Sequence, residues 1–199
     1  MPEHIDPSSR TKAAWRRRLL DGRAAQGDPG RAADAAALTT HFVESLLPAA
    51  GTICAYVPIG TEPGSLAMLD AAVAAGVRVL LPLTGAPGPL SWAQYNSAAG
   101  LHTGRFGLRE PDGPPLPPTA ISAASLILIP ALGADRRGVR LGRGAGHYDR
   151  SLPLASPDAA FVVVVRDAEL VAHLPHDPHD VAMDYALTPD LGLVQLGAT

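Results

Sequence analysis

The sequence has one cysteine, one lysine, 5% aromatic residues and no long apolar run. With Cys54 alone, no internal disulfide can form, and its place inside the apolar run Thr52 to Val57 marks it as a small buried hydrophobe. No apolar stretch reaches the roughly 18 residues needed to span a bilayer. The opening residues, Met1 to Asp6, hold no apolar segment of signal-peptide type, so a soluble, cytoplasmic protein is expected. A net charge of −3 argues against a general nucleic-acid binder. Neither nucleic acid nor membrane is expected as a partner, and a monomer is expected.

The scarcity of lysine is informative. Lys12 is the only one, beside 15 arginines. Residues 10 to 31 hold Arg10, Lys12, Arg16, Arg17, Arg18, Arg23 and Arg31, and residues 135 to 150 hold Arg136, Arg137, Arg140, Arg143 and Arg150. Twelve of the 16 basic residues thus sit in two short windows. If the fold joins the windows, they form a compact anion site rather than a stripe along a duplex.

What is abundant is glycine and proline, 20 of each, among recurring apolar runs. This composition fits one globular domain over residues 8–199 after a disordered stretch at 1–7. The chain is organised around Gly138 to Arg150, Gly-Val-Arg-Leu-Gly-Arg-Gly-Ala-Gly-His-Tyr-Asp-Arg. Its glycines at 142, 144 and 146 fit neither the G-x-x-x-x-G-K-[ST] nor the G-x-G-x-x-G spacing. Before it, Ser125 to Pro130 reads as a strand, and after it a helix is expected to start at Tyr148 to Leu152. Glycines let backbone N–H groups approach an anion, and a helix N-terminus adds partial positive charge. The guanidinium groups of Arg140 and Arg143 suit phosphate, and Asp149 suits a hard metal.

Around this stretch the pattern predicts an α/β fold. Ser8 or Ser9 should cap a helix to about Ala25, with Lys12 and Arg16 one turn apart on one face. That pair reads either as a solvated basic face or as an anion contact. Asp28-Pro29 should open a second helix to about Leu47. Thr52–Val57, Ser65–Ala75 and Val77–Pro82 form a strand, helix and strand, which implies parallel pairing. Leu90–Tyr95 should be an antiparallel strand, and Phe161–Val165 a central one buried on both faces. Asp112–Pro118 should cross the surface in extended form. Glu62, just past the first strand, is either a helix N-terminal carboxylate or a ligand contact at the strands' C-terminal edge. In the tail, His176 and His179 beside proline do not make a regular zinc pair, whereas Asp184 on a short strand facing the glycine loop could hold a hard cation.

Several separated elements, in order, closely resemble the 5-formyltetrahydrofolate cyclo-ligase family over about Thr11 to Leu196. They are Lys12-Ala13-Ala14-Trp15-Arg16, Tyr56-Val57-Pro58 with Glu62, Phe106 to Pro111, Ile129 to Asp135 leading into Arg140 to Arg150, and His179-Asp180-Val181 through Asp184. Two departures stand out: His147 where the family usually has tyrosine, and Ala134 before Asp135 where it often has phenylalanine. The resemblance implies a three-layer αβα, mainly parallel Rossmann-like sheet with N-terminal helices. It also implies ATP-driven closure of 5-formyltetrahydrofolate to 5,10-methenyltetrahydrofolate, with Mg²⁺. By the same token Lys12, Arg16, Arg140, Leu141, Gly142, Arg143, Gly144, Ala145, Gly146, His147 and Tyr148 would hold ATP, with Arg143 and Lys12 catalytic. Val57, Glu62 and Arg143 to His147 would contact the folate, and Asp149 with Asp184 would hold the metal. The alternatives are a relative that binds nucleotide or a partner without folate turnover, and a sugar-phosphate isomerase-like enzyme needing no ATP.

Overall fold

A computed structural model describes residues 11–85, 87–104, 107–178 and 180–197. The cap candidates Ser8 and Ser9, the expected disorder at 1–7, and Arg10, Arg105, Phe106 and His179 lie outside these. Helix α1 (Lys12–Ala25) starts two or three residues later than expected, because Thr11 Oγ1 accepts from Ala14 N–H at 3.2 Å. Helix α2 (Asp28–Ser45) has Gly27 at its cap, so Asp28 sits in the first turn and pairs with Arg31 instead of capping. After a 3₁₀ turn at Leu47–Ala49 come β1 (Thr52–Cys54), α3 (Leu66–Ala74) and β2 (Arg78–Leu83). Ser65 caps α3 by accepting from Met68 N–H at 3.2 Å.

Strand β3 (Ser91–Tyr95) pairs antiparallel with β2, as its alternation predicts. A ribbon of β4 (Leu101–Thr103) and β5 (Arg109–Pro111) follows. The proline-rich crossing then bridges to the outer side of β3. Trp92 N–H donates to the Leu116 carbonyl at 3.1 Å, and Leu116 N–H donates back to Trp92 at 2.7 Å. Strand β6 (Leu126–Pro130) leads into β7 (Gly133–Asp135) and β8 (Arg140–Leu141), an antiparallel hairpin that the apolar pattern did not reveal. The glycine loop therefore leaves from β8 rather than directly from the core strand. It enters α4 (His147–Ser151), a helix of only five residues. The chain ends with β9 (Ala160–Val164), β10 (Leu170–Val171) beside β7, β11 (Tyr185–Thr188) and β12 (Gly192–Gln195).

The main sheet has the order β12-β11-β9-β6-β1-β2-β3, parallel except at its two edge strands. Alternation along β9 explains its valines. Val162 and Val164 join the core beneath α2 and α3, while Val163 and Val165 join the core on the other face, all fully buried. Each such side chain contributes about 1.5–3 kcal/mol by leaving water. The second face is covered by α4 and the 3₁₀ segments Pro118–Ala123 and Leu152–Leu154, so that outer layer is thin. Helix α1 packs through Leu19 and Trp15 on Leu132, Leu141 and Leu174, at the β7–β8 hairpin.

Candidate active site

A cleft of about 480 Å³ opens at the C-terminal ends of the parallel strands, where Tyr56 and Val57 follow β1, Thr84 follows β2 and Ala131 follows β6. Both basic windows reach it: Lys12 and Arg16 from α1, and Arg140 to Asp149 from the glycine loop. The structure thus brings together every residue expected of the site except Asp184.

The loop's shape is set by glycines where other residues would be strained. Gly144 has φ +104° and Gly146 φ +68°, and a Cβ on Gly146 would lie 2.8 Å from Arg150 Nη1. Arg16 packs under Gly144, and its Nε donates to the Gly142 carbonyl at 3.0 Å, tying the loop to α1. Because α4 is so short, its dipole adds little, and the cationic side chains carry the positive charge of the site.

Lys12, Arg140 and Arg143 are paired with carboxylates at the cleft. Lys12 Nζ donates to Asp177 Oδ2 at 2.7 Å and to Asp180 Oδ2 at 2.8 Å. Partial burial pulls its pKa down, but the hydrogen bonds to Asp177 and then Asp180, with their charges, outweigh this and hold it above the ordinary lysine value. Arg143 Nε donates to Glu62 Oε1 at 3.0 Å, and Glu62 Oε2 accepts from Ile59 N–H at 3.1 Å. Glu62 is therefore folded onto its own turn and does not cap α3, which Ser65 does. Arg140 Nη2 donates to Asp149 Oδ1, and the Arg140 guanidinium lies 5.8 Å from the Tyr148 ring centre. Arg140 Nε and the Tyr148 hydroxyl are buried, with no hydrogen-bond partner among the described residues. Burial, first of all, holds the Tyr148 hydroxyl neutral, far above the ordinary tyrosine value.

His147 lies on the cleft wall with Nδ1 3.4 Å from the Gly88 carbonyl oxygen. Ser151 fixes α4 from below: its hydroxyl donates to the His147 carbonyl at 2.7 Å and accepts from Leu90 N–H at 2.8 Å.

Asp184 requires a correction. It precedes β11, at the N-terminal end of the parallel strands, and its Oδ2 accepts from Phe161 N–H at 2.7 Å. The cleft is at the other end, so Asp184 does not face the glycine loop. The tail carboxylates that do reach the cleft are Asp177 and Asp180, joined in a turn by Asp177 N–H donating to Asp180 Oδ2 at 2.8 Å. Glu110 is a further cleft residue that the sequence pattern does not single out. It is buried at the cleft wall, with Oε1 accepting from Thr84 N–H at 2.7 Å and from the Thr84 hydroxyl. Asp180 and Glu110 both stand within the motifs quoted above, but neither carried a role. Among the described residues there is no preformed cluster of three or more metal-ligating side chains. None of their helices is long and apolar enough to cross a membrane.

The model of the 5-formyltetrahydrofolate cyclo-ligase family matches residues 8–189. This chain belongs to that family. The 5-formyltetrahydrofolate cyclo-ligase of Mycolicibacterium smegmatis is 46% identical over 194 residues, covering 95% of this chain and 99% of that relative. The Escherichia coli K12 enzyme of the same name is 27% identical over 143 residues, 70% of this chain and 79% of its own length. The 5,10-methenyltetrahydrofolate synthetase of Aquifex aeolicus has a similar structure, with TM-score 0.78 and 25% identity over 94% of each chain. That of Mycoplasma pneumoniae, at TM-score 0.71 and 21% identity over 88% of this chain and 96% of its own, shares the fold. The cyclo-ligase fold is the mostly parallel α/β sheet described above.

Proposed function

We propose that this cyclo-ligase family member converts 5-formyltetrahydrofolate to 5,10-methenyltetrahydrofolate at the expense of ATP, releasing ADP and phosphate. One observation carries the reading: a glycine loop flanked by Arg140, Arg143, Arg16 and Lys12 shares a single cleft with Glu62, Val57 and His147.

The formyl oxygen is a poor leaving group. In-line attack by that oxygen on the γ-phosphorus of ATP breaks the bond to ADP and gives an N5 iminium phosphate. The N10 lone pair then attacks the formyl carbon, the C–O bond breaks with phosphate leaving, and the N10 proton passes to solvent. Such transfer needs charge neutralisation and positioning more than a protein nucleophile. Lys12, Arg16 and the loop from Arg140 to Tyr148 hold the ATP phosphates. Arg143 and Lys12 offset charge on the transferred group. Val57, Glu62 and the loop from Arg143 to His147 hold the folate, with Glu62 accepting from the pterin amino and ring N–H donors.

Mg²⁺ would neutralise phosphate charge, and it keeps several waters, so few carboxylates suffice. Asp149 fits this role. In place of Asp184, Asp180 fits it too, because both carboxylates line the cleft. Each is paired with a cation of the site, Asp149 with Arg140 and Asp180 with Lys12. Phosphates can take over those cations and so free the carboxylates.

The test is purified protein with MgATP and 5-formyltetrahydrofolate, followed by the near-ultraviolet absorbance of the methenyl product. Absence of product at saturating substrates overturns the proposal. ATP binding without product would instead favour a nucleotide-binding relative, in which His147 fails to replace the usual tyrosine.

A further inference from the structure

Behind the cleft lies a buried ion-pair cluster that the reaction itself does not use. Arg166, between β9 and a 3₁₀ turn at Asp167–Glu169, is only 9% exposed. Its Nε donates to Asp34 Oδ2 on α2 at 2.7 Å, and its Nη1 donates to the Thr61 carbonyl at 3.0 Å and to Glu169 Oε1 at 3.4 Å. Glu169, 5% exposed, in turn receives Arg23 of α1 in a fork, Nε to Oε1 at 2.6 Å and Nη2 to Oε2 at 2.8 Å. Arg23 Nη2 also donates to the carbonyl of Ala131, on the cleft floor, at 2.5 Å.

Two of these contacts end next to functional groups. Thr61 immediately precedes Glu62, and its carbonyl belongs to the turn closed by Glu62 N–H donating to Ile59 at 3.0 Å. Arg23 is two helical turns beyond Arg16 on α1, so fixing one end of this helix fixes the angle at which Arg16 and Lys12 enter the cleft. Burying three charges with a carboxylate partner is costly and seldom favoured over apolar packing. Here the cluster joins α1, α2, the Glu62 turn and the cleft floor, four elements with no shared strand ladder.

We infer that Arg166 is a positioning residue for Glu62, holding the Ile59–Glu62 turn through the Thr61 carbonyl, with Glu169 joining it to α1. The inference rests on the folate role proposed for Glu62. Arginine is suited because its planar fork reaches Asp34, Thr61 and Glu169 together, which a lysine ammonium on a flexible stem cannot do.

The test is Arg166→Lys, which keeps the charge. The KM for 5-formyltetrahydrofolate should rise about tenfold, while kcat and the KM for ATP stay within about threefold. In a Glu62→Ala background the same substitution should add nothing to the folate KM. Hydrogen exchange at the Glu62 and Ile59 amides should speed up. A purely structural role would lower kcat through loss of active protein, leave KM unchanged and act additively with Glu62→Ala. Either that pattern or unchanged exchange in the turn overturns the inference. Should the wild-type protein turn over no folate, the functional proposal fails, and the exchange measurement alone then decides the role of Arg166. If Arg166→Lys does not fold, Asp34→Asn, which loosens Arg166 from its outer side, is read in the same way.

Discussion

The two ends of α1 carry the same kind of interaction in opposite surroundings. In its first turn Lys12 meets Asp177 and Asp180 with side chains 24%, 52% and 15% exposed. In its last turns Arg23 meets Glu169 with side chains 1% and 6% exposed. A pair at or near the surface, as Lys12 makes with Asp177, is worth about 0–1 kcal/mol. A buried fork cannot be opened without stranding a charge. Chemistry alone therefore does not separate a ligand site from a structural joint; access to water does. The pairs at the entry of α1 are partly open to water, and those at its exit are closed to it.

The contrast is broken most severely from the buried side. Glu169→Ala leaves Arg23 and part of Arg166 without their carboxylate, and should lower stability by about 3–5 kcal/mol in denaturant unfolding. Asp177→Ala, at the other end, should cost less than about 1 kcal/mol. Next in size is Lys12→Ala, which removes the charge-assisted phosphate contact proposed above. It should raise the KM for ATP on the order of 10- to 100-fold in steady-state kinetics, with the unfolding midpoint nearly unchanged. ATP kinetics like those of the wild type would return Lys12 to a solvated basic face. Asp149→Asn should raise the Mg²⁺ concentration for half-maximal rate at least about tenfold. An unchanged metal titration would leave Asp149 only as the partner of Arg140.

The smallest effect is a pH dependence. The folded pKa of Lys12 is raised, so its pairing contributes stability that is fully present below the unfolded lysine pKa of about 10.4. That contribution is lost as the pH rises through the higher folded value. Asp177→Asn should flatten this alkaline loss, as read from unfolding curves at about pH 8 and pH 11.

Most of the sheet was legible because its strands are short apolar runs bounded by turn residues. Phe161–Val165 could be placed at the centre because valine on consecutive positions leaves no polar face. The β7–β8 hairpin was not legible, since Gly133, Ala134 and Asp135 carry no strand pattern; they pair because α1 and β10 pack against them. At the site, the glycine loop stands out by residue type and spacing, whereas Lys12, Arg16 and Glu62 stay open between a solvated or helix-terminal charge and a ligand contact until the family resemblance is added; the structure brings all of them to one cleft. Asp184 was misplaced because a strand's two ends look alike in sequence, and only topology tells which end meets the cleft. Asp180 lay four residues away within the same acidic tail. Arg166 and Glu169 gave no signal at all, since a buried ion pair and a surface one are written with the same residues.

The crossing that bridges to β3 has a consequence for the molecule as a neighbour of its own copies. Pro114, Pro115, Pro117 and Pro118 flank Leu116, so in that run Leu116 alone carries a backbone N–H, and it is given to Trp92. The open side of β3 is thereby closed along Trp92 by a segment with no donor left to offer outward. A second chain approaching at Trp92 meets carbonyls and pyrrolidine rings, with the Trp92 N–H and carbonyl already paired, which opposes strand addition at that point.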